Sequence, residues 1–569
     1  MPPVGCLDSA FGAVRQYRPV HPPTAQSDSA LRLAVDLRQL PGLRRLAIDY
    51  AHNFPALARW FAGNPADAAA WREAIDRARA HERPRAAIAS MVGAQLDRRG
   101  APPAARAGAE ALADAGTVAV VTGQQAGLFG GPMYTLLKAI TAIRLARRLE
   151  QEHGVRAVPV FWIDAEDHDW AEVASCGVLD ADEQLRRLTV EAPAGAGERP
   201  VAALRYTDGI RTVLDELRAV LPPTEFTGEL LVSLGEAYQP GRGVAEAFGR
   251  WLDAVLGPEG LVVYDASDPA AKPFAAPVFR AELEQAGRTA RLAAEAGRAL
   301  AASGYHMQVT PNEAAAALFD LERGRRAIRP DGDGFLVGDE HVSREALLAR
   351  ASERPETFSP NVLLRPVVQD VLFPTAAYVA GPNELAYLGQ LRGVYEAFGV
   401  PMPIIQPRAT ATLLDSAGLR FLTRYQVPLT ALAARDERSL NELLTAQLPA
   451  SVERALQEAE TEVNARLEAV IRAVPAIDPT LEGAARSTLG KMQHDLKTLR
   501  NKVVQAAKRR DETLRRQFRH AQAQAYPGGE LQERSLGFVG FLNRYGPALV
   551  ERLAAELPLD AGTHWVITI

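Results

Sequence analysis

Apolar positions recur at two different periods along this chain, and the switches between them outline its organisation. Residues 1 to about 115 read mostly as helices. Pro55–Met91 carries Leu57, Trp60 and Phe61 at helical spacing, and Ala104–Ala115 is a second such run. A strand is predicted over Thr117–Thr122, a helix over Met133–Glu152 and a strand over Ala157–Ile163. The last is a near-continuous apolar run, the mark of a strand buried on both faces in a parallel sheet. A strand–helix–strand unit of this length needs a right-handed crossover. Leu188–Val190 and Ala202–Tyr206 read as the arms of a strand pair, and a helix around Glu246–Val255 leads to a strand at Gly260–Asp265. Between Gly304 and Asp339, short strands flank the turn chemistry of Asp331-Gly-Asp-Gly334, which suggests a small insert. The apolar pattern resumes at Val362–Leu364, Val367–Leu372 and Ala376–Val379, followed by a helix near Asn383–Phe398 and a strand at Met402–Ile405.

Beyond Pro407 the period becomes heptad. Val452, Leu456, Ala459, Val463, Leu467, Val470 and Val474 step by threes and fours, as do Leu489, Met492, Leu496, Leu499, Val503 and Ala506. The intervening Pro475-Ala-Ile-Asp-Pro479 makes an antiparallel coiled-coil hairpin of the two runs. From Arg486 to Arg519 there are eleven basic residues against three acidic, and over 450–474 five acidic against three basic. The basic run therefore has a partial partner inside the hairpin. Only Gly490 and Phe518 interleave it, which speaks against a nucleic-acid arm.

At 569 residues, with 47% hydrophobic and 23% charged positions, the chain has room for roughly three or four globular domains. A net charge of −5 gives no global attraction to nucleic acid or anionic membrane. Cys6 and Cys176 are the only cysteines, which excludes a disulfide framework or thiolate metal site and suits a reducing cytoplasm. The first residues lack a basic segment followed by an apolar run, so no signal peptide is expected. No apolar stretch is long enough to span a membrane.

Candidate chemistry gathers in three places. The first strand runs into Thr122-Gly-Gln-Gln-Ala-Gly-Leu-Phe-Gly-Gly-Pro-Met-Tyr-Thr135, and the next helix carries Lys138 in its first turns. Gly123, Gly127, Gly130 and Gly131 allow close backbone approach, and a helix N-terminus favours an anion. The glycine spacing fits neither a P-loop nor a dinucleotide fingerprint. A tight turn without a ligand, and a surface lysine at 138, remain open. The second strand ends in Asp164-Ala-Glu-Asp-His-Asp-Trp170, at the sheet edge where ligands bind in open α/β folds. His168, oriented by Asp167 or Asp169, could act as acid/base or phosphate donor. Two carboxylates holding Mg²⁺ and a solvated capping turn are the alternatives, while no second histidine or cysteine supports zinc. Third come Arg365-Pro-Val-Val-Gln-Asp370 and Gly381-Pro-Asn-Glu-Leu-Ala-Tyr387. Arg365 could clamp a carboxylate or phosphate, with Gln369 and Asp370 reading polar groups; Glu384 reads equally as a first-turn charge. Cys176 reads as a buried, inert thiol.

Taken together, these motifs resemble the cysteine ligase family of bacillithiol biosynthesis. The match rests on the glycine segment with Lys138, on Pro159-Val-Phe-Trp-Ile163 with Glu166-Asp-His-Asp169, and on Leu364-Arg-Pro-Val-Val-Gln-Asp370. Gly381–Tyr387, Leu531-Gln-Glu-Arg534 and Phe541-Leu-Asn-Arg-Tyr-Gly546 complete it in family order. The resemblance implies an α/β, Rossmann-like core of nucleotidyltransferase type with a small inserted connecting subdomain. It further implies an α-helical antiparallel coiled coil that mediates a homodimer. The expected divisions are 1–270 for the N-terminal helices and first part of the core, 271–360 for the insert and 361–440 for the return to the core. The coiled coil follows at 441–526, and 527–569 packs on the core. The implied reaction joins L-cysteine to the amine of glucosaminyl-malate; an amide bond of this kind needs carboxyl activation, for which ATP or another nucleotide is the candidate, and no metal is assigned. Glu166, Asp167, His168 and Asp169 are the expected catalytic group. Thr122, Gly123, Gln124, Gln125, Gly127, Gly130, Gly131, Tyr134, Lys138, Trp162, Arg365, Gln369, Asp370, Asn383, Glu384 and Tyr387 are the expected substrate or anion ligands. A synthetase-like enzyme activating another carboxylic acid and a non-catalytic coiled-coil scaffold are the competing readings.

Overall fold

The structure is a computed structural model that describes residues 32–446, 450–510 and 512–569. Cys6 and the helical reading of residues 1–31 lie outside the described residues.

The apolar runs pair as a five-stranded, all-parallel sheet in the order Ile404–Pro407, Thr375–Ala380, Val118–Gln124, Ala157–Ile163, Val262–Asp265. The first strand in sequence lies at the centre. The chain adds the next two strands on one side, then reverses to add the last two on the other. This is a Rossmann-type order, and its switch point lies between Val118–Gln124 and Thr375–Ala380. Helix Met133–His153 follows the glycine segment and ends at Gly154, whose φ of +64° gives the left-handed cap that halts it.

Helices Lys272–Glu284 and Arg288–Ala302 open the insert. They lead to a five-stranded antiparallel sheet over residues 318–360. Two of its hairpins turn on two residues, Gly332-Asp333 between the paired Asp331 and Gly334 and Gly338-Asp339 between the paired Val337 and Glu340, with Gly332 at φ +60° and Gly338 at φ +63°.

Helices Ala450–Ala473 and Leu481–Arg510 form the antiparallel hairpin. Arg500 pairs with Glu453 across it, and Gln493 donates to Asn464 at 2.9 Å. Helix Glu512–Ala525 returns the chain to the core. The C-terminal segment then packs against hairpin strand Ser175–Leu179. Gly537 N–H donates to Gly177 O at 2.8 Å, and a Cβ at Gly537 would lie 2.3 Å from Cys176 Sγ.

Several local expectations are corrected. Residues 32–115 are mostly helical, as expected, but they also hold a strand. Arg32–Asp36 is a strand, paired antiparallel with Thr563–Thr568, which also pairs with Thr410–Leu414. Pro55–Met91 is broken into 3₁₀ turns and helices Ala68–Ala80 and Arg85–Arg99. The strand pair is Ser175–Leu179 with Leu185–Thr189, while 201–203 form a 3₁₀ turn. The helix near Asn383–Phe398 is two, Pro382–Leu388 and Arg392–Phe398.

Candidate active site

A polar cavity of about 310 Å³ opens at the carboxyl ends of the core strands, over the switch point. Its floor is built by backbone that ends strands. Gly123 and Gln124 close one strand, Asp164 follows the next, Gly381 follows Thr375–Ala380, and Arg408 follows Ile404–Pro407. Gly381 has no side chain to fill this floor. A Cβ there would sit 3.8 Å from Arg408 Nε and 3.9 Å from Lys138 Cε, so two cations meet beside it.

Lys138 is nearly fully buried and donates to Gly123 O at 2.7 Å and Gln124 Oε1 at 2.9 Å. It also pairs with Glu384. Glu384 accepts from Gly381 N–H and from Tyr378 OH, both at 2.8 Å. Burial alone would push this carboxyl up. The Lys138 ammonium, with the two hydrogen bonds, holds it below its ordinary range. Arg365 donates to Tyr387 OH at 2.8 Å and lies 3.4 Å from Asp164. Arg408 grips Glu533 with both terminal nitrogens, at 2.9 and 2.5 Å, and lies over the Tyr134 ring. Burial raises the Glu533 carboxyl, but Arg408 pulls it net downward and keeps it ionised. Arg534 completes the wall and makes no ion pair among the described residues.

Of the residues expected from sequence, Gly123, Gln124, Gln125, Tyr134, Lys138, Arg365, Asn383, Glu384 and Tyr387 line this cavity together. Gln125 also donates to Asp167 at 2.9 Å, linking the cavity to the acidic cluster. Asp167 accepts from His168 N–H and lies 3.0 Å from His168 Nδ1. His168 is exposed beside the cavity, with Arg325 of the insert 3.5 Å away. Asp169 caps the short helix Trp170–Val173 by accepting from Glu172 N–H. Glu166 points inward and pairs with Lys272 of the insert.

The other expected residues stand behind the wall. Gln369 and Asp370 are buried, and Gln369 donates to Asp370 at 2.9 Å while Tyr395 OH donates at 2.6 Å. Burial pushes Asp370 up to about 6 despite these bonds. Thr122 donates to Val379 O at 3.0 Å, and Trp162 packs on Tyr264. The glycines at 127, 130 and 131 are buried, and their amides donate to Gln125 O, Gly127 O and Leu128 O. Packing explains them: at Gly130, with φ +93°, a Cβ would lie 2.3 Å from the Phe538 ring. The helix N-terminus is also occupied, because Met133 N–H donates to Leu536 O at 2.7 Å.

Sequence reading missed Arg408, Tyr378, Glu172 and Arg534 as cavity residues. Arg408 carried a usable signal, standing three residues after the predicted strand Met402–Ile405. Cys176 is buried, and burial pushes its thiol up to about 12, as an inert core cysteine requires.

The profile of the bacillithiol biosynthesis BshC N-terminal Rossmann-like domain matches residues 33–409, and that of the BshC C-terminal coiled-coil domain matches 411–569. A relative from Salinibacter ruber, named "Putative cysteine ligase BshC", is 36% identical over 92% of this chain and 96% of its own. Relatives of the same name from Koribacter versatilis (36% identical, 82% of this chain and 86% of its own) and Symbiobacterium thermophilum (35%, 84% and 88%) agree. With both domains matched in order, this chain belongs to the bacillithiol biosynthesis BshC family.

Proposed function

We propose that this protein is a cysteine ligase that joins the carboxyl of L-cysteine to the free amine of glucosaminyl-malate, completing bacillithiol. The observation that carries the reading is the cavity over the switch point, where Lys138, Arg365, Arg408 and Arg534 converge. Both substrates bear carboxylates, and amide formation from a free acid needs an activating group that is itself anionic. A floor of buried guanidinium and ammonium groups suits such ligands. The same cations fit the phosphates of ATP or another nucleotide, which supplies the leaving group on the cysteine carboxyl.

In this reading Lys138, Arg365 and Arg408 hold the carboxylate and phosphate groups. Gln124, Gln125, Asn383 and Tyr387 orient polar groups of the sugar or amino acid. His168, with Asp167 and Asp169, serves the departing group at the rim. Glu166, Gln369, Asp370, Thr122, Trp162 and the buried glycines fix the wall behind them. The enzyme works in the cytoplasm as a homodimer joined through the coiled coil. Among the described residues no helix is long and apolar enough to cross a membrane.

The test is turnover of purified protein with cysteine, glucosaminyl-malate and a panel of nucleotides, followed by product mass. Amide product is expected with the native protein, and Arg365→Ala should lose on the order of 10²-fold in rate. Absence of the amide with every nucleotide, or full turnover by Arg365→Ala, would overturn the assignment.

A further inference from the structure

The amine acceptor poses a problem that the cations leave unsolved. A primary amine is largely an ammonium ion at neutral pH, and an ammonium cannot attack a carbonyl. A base inside the cavity must first take its proton. Three carboxylates line the cavity: Asp164, Glu172 and Glu384. Two are already engaged, Asp164 by Arg365 and Glu384 by Lys138, Tyr378 and the Gly381 amide. Glu172 has no ion pair or side-chain hydrogen bond among the described residues.

Its placement suits the task. Glu172 stands on Trp170–Val173, the short helix that follows the second core strand and the acidic cluster, and it lines the cavity. The charged and titratable groups facing it are Asp164, Asp167, Asp169, Lys138 and Tyr134. Glu172 is exposed to solvent where it lines the cavity; desolvation there and the three neighbouring aspartates push its pKa upward, with Lys138 opposing. That direction makes a better proton acceptor near neutral pH. His168, by contrast, lies outside the cavity lining.

We infer that Glu172 is the general base of the ligation, taking a proton from the acceptor ammonium so that the neutral amine can attack. The inference rests on the ligase reading above. In the step, one N–H bond of the ammonium breaks and an O–H bond forms on Glu172. The freed nitrogen lone pair then adds to the cysteine carbonyl carbon, previously activated by a phosphate-bearing nucleotide. A C–N bond forms, the C–O bond to the phosphate-type leaving group breaks, and the second amine proton departs with that group. Glu172 returns its proton to solvent.

Hydroxylamine separates this role from others, because it is a nucleophile that is mostly unprotonated at neutral pH and needs no base. Glu172→Gln is expected to lower glucosaminyl-malate turnover by about 10²-fold or more while keeping formation of cysteine hydroxamate near the native rate. Loss of both products would assign Glu172 to activation or to structure and overturn the inference. Retention of both would overturn it equally. If the native protein makes the hydroxamate but no glucosaminyl-malate amide, the acceptor in the ligase reading is wrong, and the base must be sought again with the true amine. If it makes neither, the ligase reading itself fails, a result distinct from any behaviour of the variant.

Discussion

Arg408 reaches the cavity floor only because a residue far along the chain holds it there. Glu533 occupies both terminal nitrogens of its guanidinium and also accepts from Thr410 at 2.7 Å. Thr410 in turn meets His564, which burial pulls down to about 4 and so keeps neutral. With side chains 5% and 6% exposed, the ion pair is sealed from water, where removing one partner strands the other charge. Arg408→Met or Glu533→Gln alone should therefore lower unfolding free energy by about 3–5 kcal/mol. The double variant Arg408→Met/Glu533→Leu should recover most of that in urea titrations yet remain inactive. A double variant no more stable than the singles would show that the pair is not what the fold needs. This pairing also marks a limit of sequence reading. Nothing in local spacing joins residue 408 to 533, so the clamp was invisible, whereas Lys138 and Glu384 could be flagged because each sits at a strand-to-helix turn. The glycines at 127, 130 and 131 were legible as conformational requirements. Their cause, close packing on Phe538 and within the turn, required the tertiary contacts.

Elements were legible in proportion to how far their own sequence decides them. Ala157–Ile163 is buried along nearly its whole length, so its composition alone marks it as an interior strand. Arg32–Asp36 is short and takes its partner, Thr563–Thr568, from the opposite end of the chain, so no local pattern announces it. Val367–Leu372 has the apolar character of a strand but belongs to helix Arg365–Leu372, which Pro366 starts by fixing the first turn. Helix Glu512–Ala525 shows how elements are also joined by charge. His520 lies between Glu183 of the core hairpin, at 2.5 Å, and Asp415, at 2.9 Å, with Arg544 and Gln524 on the same aspartate. Its hydrogen bonds to Asp415 and Glu183 raise its pKa from 6.5 to about 9. The charged form is thus favoured by folding. This contribution is complete below pH 6.5, the unfolded value, and is lost as pH rises through about 9. Hydrogen exchange along 512–525 should accelerate over that window in the native protein. In His520→Gln it should be faster already at pH 6.5 and show no such added pH step. An unchanged native profile between those pH values would refute the pin.

At the scale of the molecule, the hairpin is under-covered for a helix pair that carries two apolar rows. Leu489, Leu496 and Val503 are partly shielded, while Met492 and Leu499, on the companion row seven residues apart, remain 39% and 48% exposed. Val470 on the facing helix is 43% exposed, and Ile477 at the tip 84%. Heptad positions d and a normally close against another helix, and exposed rows of this kind mark an interface. A second hairpin laid against the first would cover them, so the homodimer proposed above would be joined through the coiled coil and not through the Rossmann-like core. The cavity lies at the core switch point and none of its lining residues belongs to the hairpin helices, so dimerisation through the hairpin is expected to support stability and not chemistry. Replacing both Met492 and Leu499 with glutamate should convert a dimer to a monomer by light scattering, with helical content kept and turnover per chain within a few-fold of native. A variant that stays dimeric would move the interface elsewhere. A monomer that loses turnover altogether would show that the second chain reaches the site.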